Sequence, residues 1–223
     1  MQQHKMELSQ DISATLRGLL DQLGVNQVSH SGQTLMCHLT ATSKILQDWG
    51  CRQELCAAGL FHSIYGTEMF RVAKQSFEDR RMLQQAISED AENLVYLYGT
   101  ISRQSLYDAA QAEQAEKDAM VRDFRTGAEV IITRERLSEL LTLDFANTLE
   151  QCPRAYVRDG LIEIYRRAAS ILPPPAVSTL NRWEEIKKNQ PLLLRARLRA
   201  QFYFVLMYRH ISRGLNRLRF VRT

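Results

Sequence analysis

Cysteine is scarce and poorly spaced for metal binding or disulfide chemistry. The four present, Cys37, Cys51, Cys56 and Cys152, form no CxxC pair and no zinc-type spacing, so reduced, partly buried thiols in a cytoplasmic protein are expected. Proline (five) and glycine (ten) are few among 223 residues, and no internal repeat is visible, which argues against a solenoid or a low-complexity chain. No run of 18 or more apolar residues occurs, so no membrane-spanning helix is expected. The opening residues MQQHKMELSQDIS carry acids and lack an apolar core, so a secretory signal is not expected either.

Charge is present in both signs but unevenly placed. From Ala176 onward eleven Lys/Arg face two Glu, a local net of +9, so with +4 overall residues 1–175 carry −5. A mildly acidic body with a basic tail differs from a uniformly basic protein. We expect two units: a helical domain over residues 1–172 and a basic amphipathic helical tail over 176–223, separated by Leu172-Pro173-Pro174-Pro175. In the tail Arg195 and Arg199, then Arg209, Arg213 and Arg217, recur at i,i+4 beside an apolar face of Phe202, Val205 and Leu206. Such a helix docks on its own body, on a protein partner or on an anionic membrane surface, the last making the protein peripheral to the membrane. Nucleic acid is disfavoured, because no recognisable binding motif accompanies the charge.

The body reads as helix throughout. Ser9 is placed to cap a first helix that stops at Gly24, and the loop 25–32 leads to a second helix ending at Gly50. A third begins a few residues later and ends near Tyr65-Gly66-Thr67. Ser76 with Asp79 predicts a capping box, Ser88 the start of another helix, and the polar stretch from Gln104 to Asp123 a solvated helix or a mobile lid. Thr133 predicts a helix to Gln151, and a last one runs through Leu161, Ile164 and Tyr165. VIIT at 130–133 is too short to argue for a sheet. The expected class is all-α.

Three ligand-type side chains interrupt apolar stripes on three of these helices. His38 shares a face with Leu35, Leu39, Thr42, Leu46 and Trp49. His62 follows Leu55, Ala58 and Gly59, and Asp144 sits among Leu137, Leu140, Leu141 and Thr148 where a leucine is expected. A buried carboxylate or imidazole needs a partner. Hydrogen-bonded core residues satisfy that need, and so does a shared metal, since inward-facing N and O donors on rigid helices are how a bundle builds a metal centre.

The stretch CHLTATSKILQDWGCRQELCAAGLFHS resembles the start of an HD-domain protein, with one helical histidine and a second about two dozen residues on. The spacing from His38 to His62 is similar to that of the stringent-response ppGpp hydrolases of the RelA/SpoT type. His30-Ser31-Gly32-Gln33 resembles their upstream segment, and LLTLDFANTLEQ resembles the helix that supplies their last aspartate, with Asp144 in its place. The likeness covers about residues 30–150 and implies an HD-like helical bundle with a C-terminal basic helical extension. It also implies a divalent metal (Mn, Fe or Zn not being distinguished) on His38, His62 and Asp144. The chain departs from the pattern at Ser63, which stands where an aspartate follows the second histidine, and at Gly66-Thr67, which replace an acidic pair. Asn147 falls one residue short of the comparable asparagine. The altered His-Ser motif points to an HD-related family with no activity implied by kinship alone.

The resemblance implies hydrolysis of a phosphorylated or nucleotide-like small molecule, with a metal lowering the pKa of a bound water. Glu68, His30 and Tyr65 are then the candidate acids and bases. Lys74, Arg71, Ser63 and Asn147 are candidate contacts to an anionic substrate. Two other classes stay open. Two histidines and a carboxylate also serve mononuclear non-haem iron oxygenases, and loss of the His-Asp doublet suits a non-catalytic HD domain acting as a binding module.

Overall fold

The computed structural model describes residues 15–30, 32–77, 79–112, 117–152 and 159–188. The chain is all-α, as expected. Helix α1 covers 15–22. It is followed by α2 (Leu35–Asp48), α3 (Gln53–Phe61), α4 (Arg81–Ile87), α5 (Glu89–Thr100) and α6 (Arg103–Gln111). Then come α7 (Arg134–Gln151), α8 (Asp159–Arg167), α9 (Pro174–Asn181) and α10 (Trp183–Lys188). Two antiparallel hairpins accompany them: β1 (Ser29–His30) with β2 (Gln33–Thr34), and β3 (Ala119–Arg122) with β4 (Glu129–Ile132). No described helix is long and apolar enough to cross a membrane.

Local chemistry explains most helix ends. The Thr34 side chain accepts from the Cys37 N–H at the start of α2, Ser88 from Ala91 N–H at α5, and Thr133 from Arg136 N–H at α7. Each satisfies a backbone donor that has no partner within its helix, worth about 1 kcal/mol. Helix α2 ends as Gly50 turns to φ +70°, which a residue with a Cβ adopts only at a cost. Helices α2 and α3 then meet closely at Gly59, where an added Cβ would fall 2.5 Å from Leu46 Cδ1 and 3.3 Å from Ser43 Cα. Ser43 Oγ ties the pair by donating to Cys56 O at 2.8 Å. On α7, Phe145 stacks on Trp49 and meets Tyr165 at a tilt, so α2, α7 and α8 share one aromatic core.

Four expectations change. Residues 25–32 are not a plain loop but a short 3-10 turn (Val25–Gln27) and the first hairpin. No capping box forms at Ser76 and Asp79. The next helix starts only at Arg81 without a side-chain cap, because Lys74 and Gln75 turn their N–H groups back onto Ile64 O. The polar stretch after Gln104 is helical only to Gln111, and Ala119–Arg122 is a strand. Its partner is the segment that includes VII of VIIT: four residues too few to signal a sheet become a strand because a second strand pairs with them. Val121 and Ile132 face inward, while Met120 and Ile131 are exposed.

Proline 174 also does not end the body. It occupies the first turn of α9, where a missing N–H costs nothing. Ala176, Leu180 and Trp183 are buried, and Trp49 Nε1 donates to Thr179 Oγ1 at 3.2 Å. Residues 174–188 therefore pack with the residues before 172. The basic helix expected beyond Pro191 and the Ser9 cap lie outside the described residues.

Candidate functional site

Helix α2 and the end of α3 bring two imidazoles together. His38 Nε2 and His62 Nε2 lie 3.1 Å apart, and both side chains are buried. The backbone decides His62's tautomer: a carbonyl only accepts, so Nδ1 carries the proton it donates to Gly59 O at 2.8 Å. His62 caps α3 rather than lying within it, which aims the ring across to α2. Burial first, then the neighbouring His38, holds the His62 pKa well below the usual histidine range. This imidazole is therefore neutral, with its Nε2 lone pair toward His38.

His38 is fixed from behind. Its Nδ1 faces Glu150 Oε2 on α7, and Glu150 Oε1 accepts from Gln33 Nε2 at 2.8 Å. A carboxylate partner places the His38 proton on Nδ1. The two Nε2 atoms meet at 3.1 Å. That contact is favourable with a proton on His38 Nε2, which makes it an N–H···N hydrogen bond, or with a metal ion shared by two lone pairs. Two nitrogens bound about 2.1 Å from one ion lie about 3 Å apart when they take adjacent positions, so the pair fits a metal as it stands.

Asp144 meets a different company. Tyr98 OH donates to Oδ1 at 3.0 Å, and Tyr107 OH and Tyr165 OH donate to Oδ2 at 2.7 and 2.8 Å. Arg103 Nε ion-pairs with Oδ1 at 3.1 Å. Three hydrogen bonds and one ion pair take up most of the roughly four acceptor positions of a carboxylate. Asp144 would have to release one of them to ligate anything else. Among the described residues no group of three His, Cys, Asp or Glu is arranged to hold a metal ion. The donor set thus fits a metal at the two imidazoles and leaves Asp144 engaged elsewhere. Burial raises the pKa of Tyr98, Tyr107 and Tyr165, reinforced by Asp144, and keeps them as donors. Arg103 also lies over the Tyr98 ring, 3.7 Å from its centroid.

A cavity of about 940 Å³ opens beside these groups. Of the residues anticipated from sequence, His30, His62, Ser63, Glu68, Asp144 and Asn147 line it. His30 stacks on His38 (centroids 4.3 Å) and meets Phe70 edge-on. Glu68 accepts from the Arg103 backbone N–H at 2.8 Å, a negative charge at the start of α6. Asn147 accepts from Gln151.

Tyr65, Lys74 and Arg71 do not line the cavity, and neither does His38, whose ring lies behind His30 and His62. Tyr65 is buried and donates to Glu92 at 2.8 Å, with its pKa raised by burial and then by Glu92. Arg71 is exposed, and Lys74 reaches toward Gly24.

Sequence reading missed Glu150, Arg103, Tyr98, Tyr107 and Tyr165. Arg103 and Tyr107 stand at i,i+4 on α6, a signal that both share a face. Nothing local marks Glu150, which meets His38 from 112 residues away.

A family model described as "Domain of unknown function (DUF6817)" matches residues 19–103. The match takes in both histidines and ends at Arg103, so Asp144, Glu150 and Tyr165 lie outside it. No curated protein and no solved structure matches the chain.

Proposed function

We propose that this HD-like domain is a metal-dependent hydrolase acting on a phosphoester of a small molecule held in the cavity beside His62. One observation carries the proposal: the two Nε2 atoms converge at 3.1 Å while each Nδ1 is engaged elsewhere. Histidine ligates divalent metals in this form, and a carboxylate behind the ring, as Glu150 is behind His38, is the usual support for such a ligand. His38 and His62 would hold the metal, with Asp144 as the third ligand once it is released. When bound, the metal polarises a phosphoryl oxygen and lowers the pKa of a water.

The charge of the walls supports the same reading. Apart from histidines, the charged residues lining the cavity are Arg103, Glu68 and Asp144, one cation against two carboxylates. An anionic substrate would meet net repulsion there without an added cation. Arg103 would bind the phosphate edge, Ser63, Thr67 and Asn147 would offer neutral hydrogen bonds, and Glu68 would take up the proton of the attacking water.

The test is release of phosphate or alcohol from a panel of phosphomonoesters and diesters by protein loaded with Mn²⁺. Turnover that depends on Mn²⁺ and disappears in a folded His62→Ala protein is expected. A folded, Mn²⁺-loaded protein inactive across the panel would contradict the proposal. The four partners around Asp144 favour a second reading, a non-catalytic HD-like module that binds its ligand without turnover. Saturable phosphate-ester binding with no hydrolysis distinguishes it.

A further inference from the structure

We infer that metal and anion bind this cavity cooperatively, with the Arg103–Asp144 ion pair as the element each displaces for the other. The inference rests on the proposed metal at His38 and His62 and concerns how that centre is completed. Asp144 is the third ligand expected from the sequence, yet its carboxylate already holds three hydrogen bonds and an ion pair. Its two oxygens are not held alike. Oδ2 accepts from Tyr107 and Tyr165 at 2.7 and 2.8 Å, whereas Oδ1 holds Tyr98 at 3.0 Å and Arg103 Nε at 3.1 Å. Oδ1 is therefore the oxygen that can be freed.

Arg103 is built to make the exchange. Its Nη1 donates to Tyr98 O at 3.0 Å and Ile101 O at 3.3 Å, and its guanidinium carbon lies over the Tyr98 ring, 3.7 Å from the centroid. These contacts hold the group in place whichever anion it meets. Its Nη2 makes no hydrogen bond among the described residues, and the side chain lines the cavity. The Nε–Nη2 edge is a two-donor fork, the shape that phosphate and carboxylate ligands fill in pairs. Asp144 meets Arg103 as an ion pair, Oδ1 lying 3.1 Å from Nε, without a hydrogen bond to either donor of that edge.

An incoming phosphate that takes the whole edge displaces Asp144 from Nε and frees Oδ1 toward the imidazole pair. A metal that takes Oδ1 leaves the Arg103 edge uncompensated and ready for an anion. Each ligand removes the cost the other would meet, which is positive linkage. Without either ligand the ion pair closes on itself, so neither is held strongly alone.

The experiment measures Mn²⁺ affinity from the free-ion EPR signal, with and without inorganic phosphate, in wild type and Arg103→Gln. In wild type, phosphate should tighten Mn²⁺ at least about fivefold, and Mn²⁺ should tighten phosphate by the same factor. Arg103→Gln should bind Mn²⁺ more tightly than wild type when phosphate is absent, and its coupling factor should fall several-fold below the wild-type value, leaving only what direct contact of phosphate with the metal supplies. Coupling as large in Arg103→Gln as in wild type would mean that phosphate acts through the metal alone, and overturns the inference. Mn²⁺ binding without coupling in wild type overturns it while sparing the metal site. No Mn²⁺ binding under either condition removes both. Tyr98→Phe gives an independent check should Arg103→Gln fold poorly. It loosens the other Oδ1 bond, so it should tighten phosphate-free Mn²⁺ while keeping the coupling, and unchanged Mn²⁺ affinity there contradicts the account.

Discussion

Two of the buried helical carboxylates, Asp144 and Glu92, have surroundings that look alike at first. Asp144 on α7 accepts from three tyrosines and pairs with Arg103. Glu92 on α5 accepts from Tyr65 OH, from Arg80 through Nε (2.7 Å) and Nη2 (2.5 Å), and from Gln84. Arg80 even lies over a tyrosine ring, that of Tyr96, as Arg103 does over Tyr98. The difference is what lies on the far side. Asp144 and Arg103 line the cavity that His62 lines, whereas Glu92, Tyr65 and Arg80 do not. The Glu92 cluster fastens the segment carrying Ser63, Thr67 and Glu68 to α5. An acid on a core stripe thus reports burial with partners; only the cavity and the facing imidazoles make one of the two a candidate for chemistry.

The largest expected effect lies on the structural side. Glu92→Ala leaves Arg80 and the Tyr65 hydroxyl without their buried acceptor and should cost about 3–5 kcal/mol in urea unfolding. Metal bound per folded molecule should stay unchanged. A loss of metal at full folding would erase the distinction between the clusters.

Next comes the support behind the histidine pair. Glu150→Gln replaces the carboxylate that fixes His38, and Mn²⁺ affinity should fall about 10–100-fold, roughly 1.4–2.8 kcal/mol. Rescue by Glu150→Asp would indicate an electrostatic rather than a packing role. Equal affinity in Glu150→Gln and wild type would deny Glu150 that role.

The pH dependence of the metal-free protein separates the regions more finely. His62 is held neutral when folded, with its pKa depressed by burial, while the unfolded chain protonates near pH 6.5. Its contribution to stability is complete above about pH 6.5. It is lost as pH falls below that value, because only the unfolded state gains the proton, with a slope of up to about 1.4 kcal/mol per pH unit. His62→Gln should flatten that slope and Tyr65→Phe should not. Unfolding curves from pH 7.5 to 5 decide this, and an equal slope in His62→Gln contradicts the assignment. The smallest effect belongs to Tyr65→Phe itself, which drops one hydrogen bond to Glu92 for about 1–2 kcal/mol and should leave Mn²⁺ affinity unaltered.

What could be read from sequence was local. Thr133 and Ser88 announce their helices because a cap and the N–H that donates to it lie three residues apart. His38, His62 and Asp144 stand out because each spoils an otherwise apolar stripe. What could not be read depends on distant partners. The strand at 129–132 exists through its pairing with 119–122. Glu150 bears on the histidine pair only because His38 packs on it, and the three tyrosines reach Asp144 from separate helices, 21 to 46 residues away in sequence. Tyr65 depends on a distant partner in the same way: its neighbours in sequence line the cavity, but its hydroxyl points to α5.

The most direct test of the facing-imidazole site is the metal content of the intact chain after Mn²⁺ reconstitution and gel filtration, set beside His38→Ala. About one Mn²⁺ per wild-type chain and almost none in a folded His38→Ala protein is the expected result for one shared site. A folded wild-type chain that retains no metal, or a His38→Ala chain that retains as much as wild type, would contradict it.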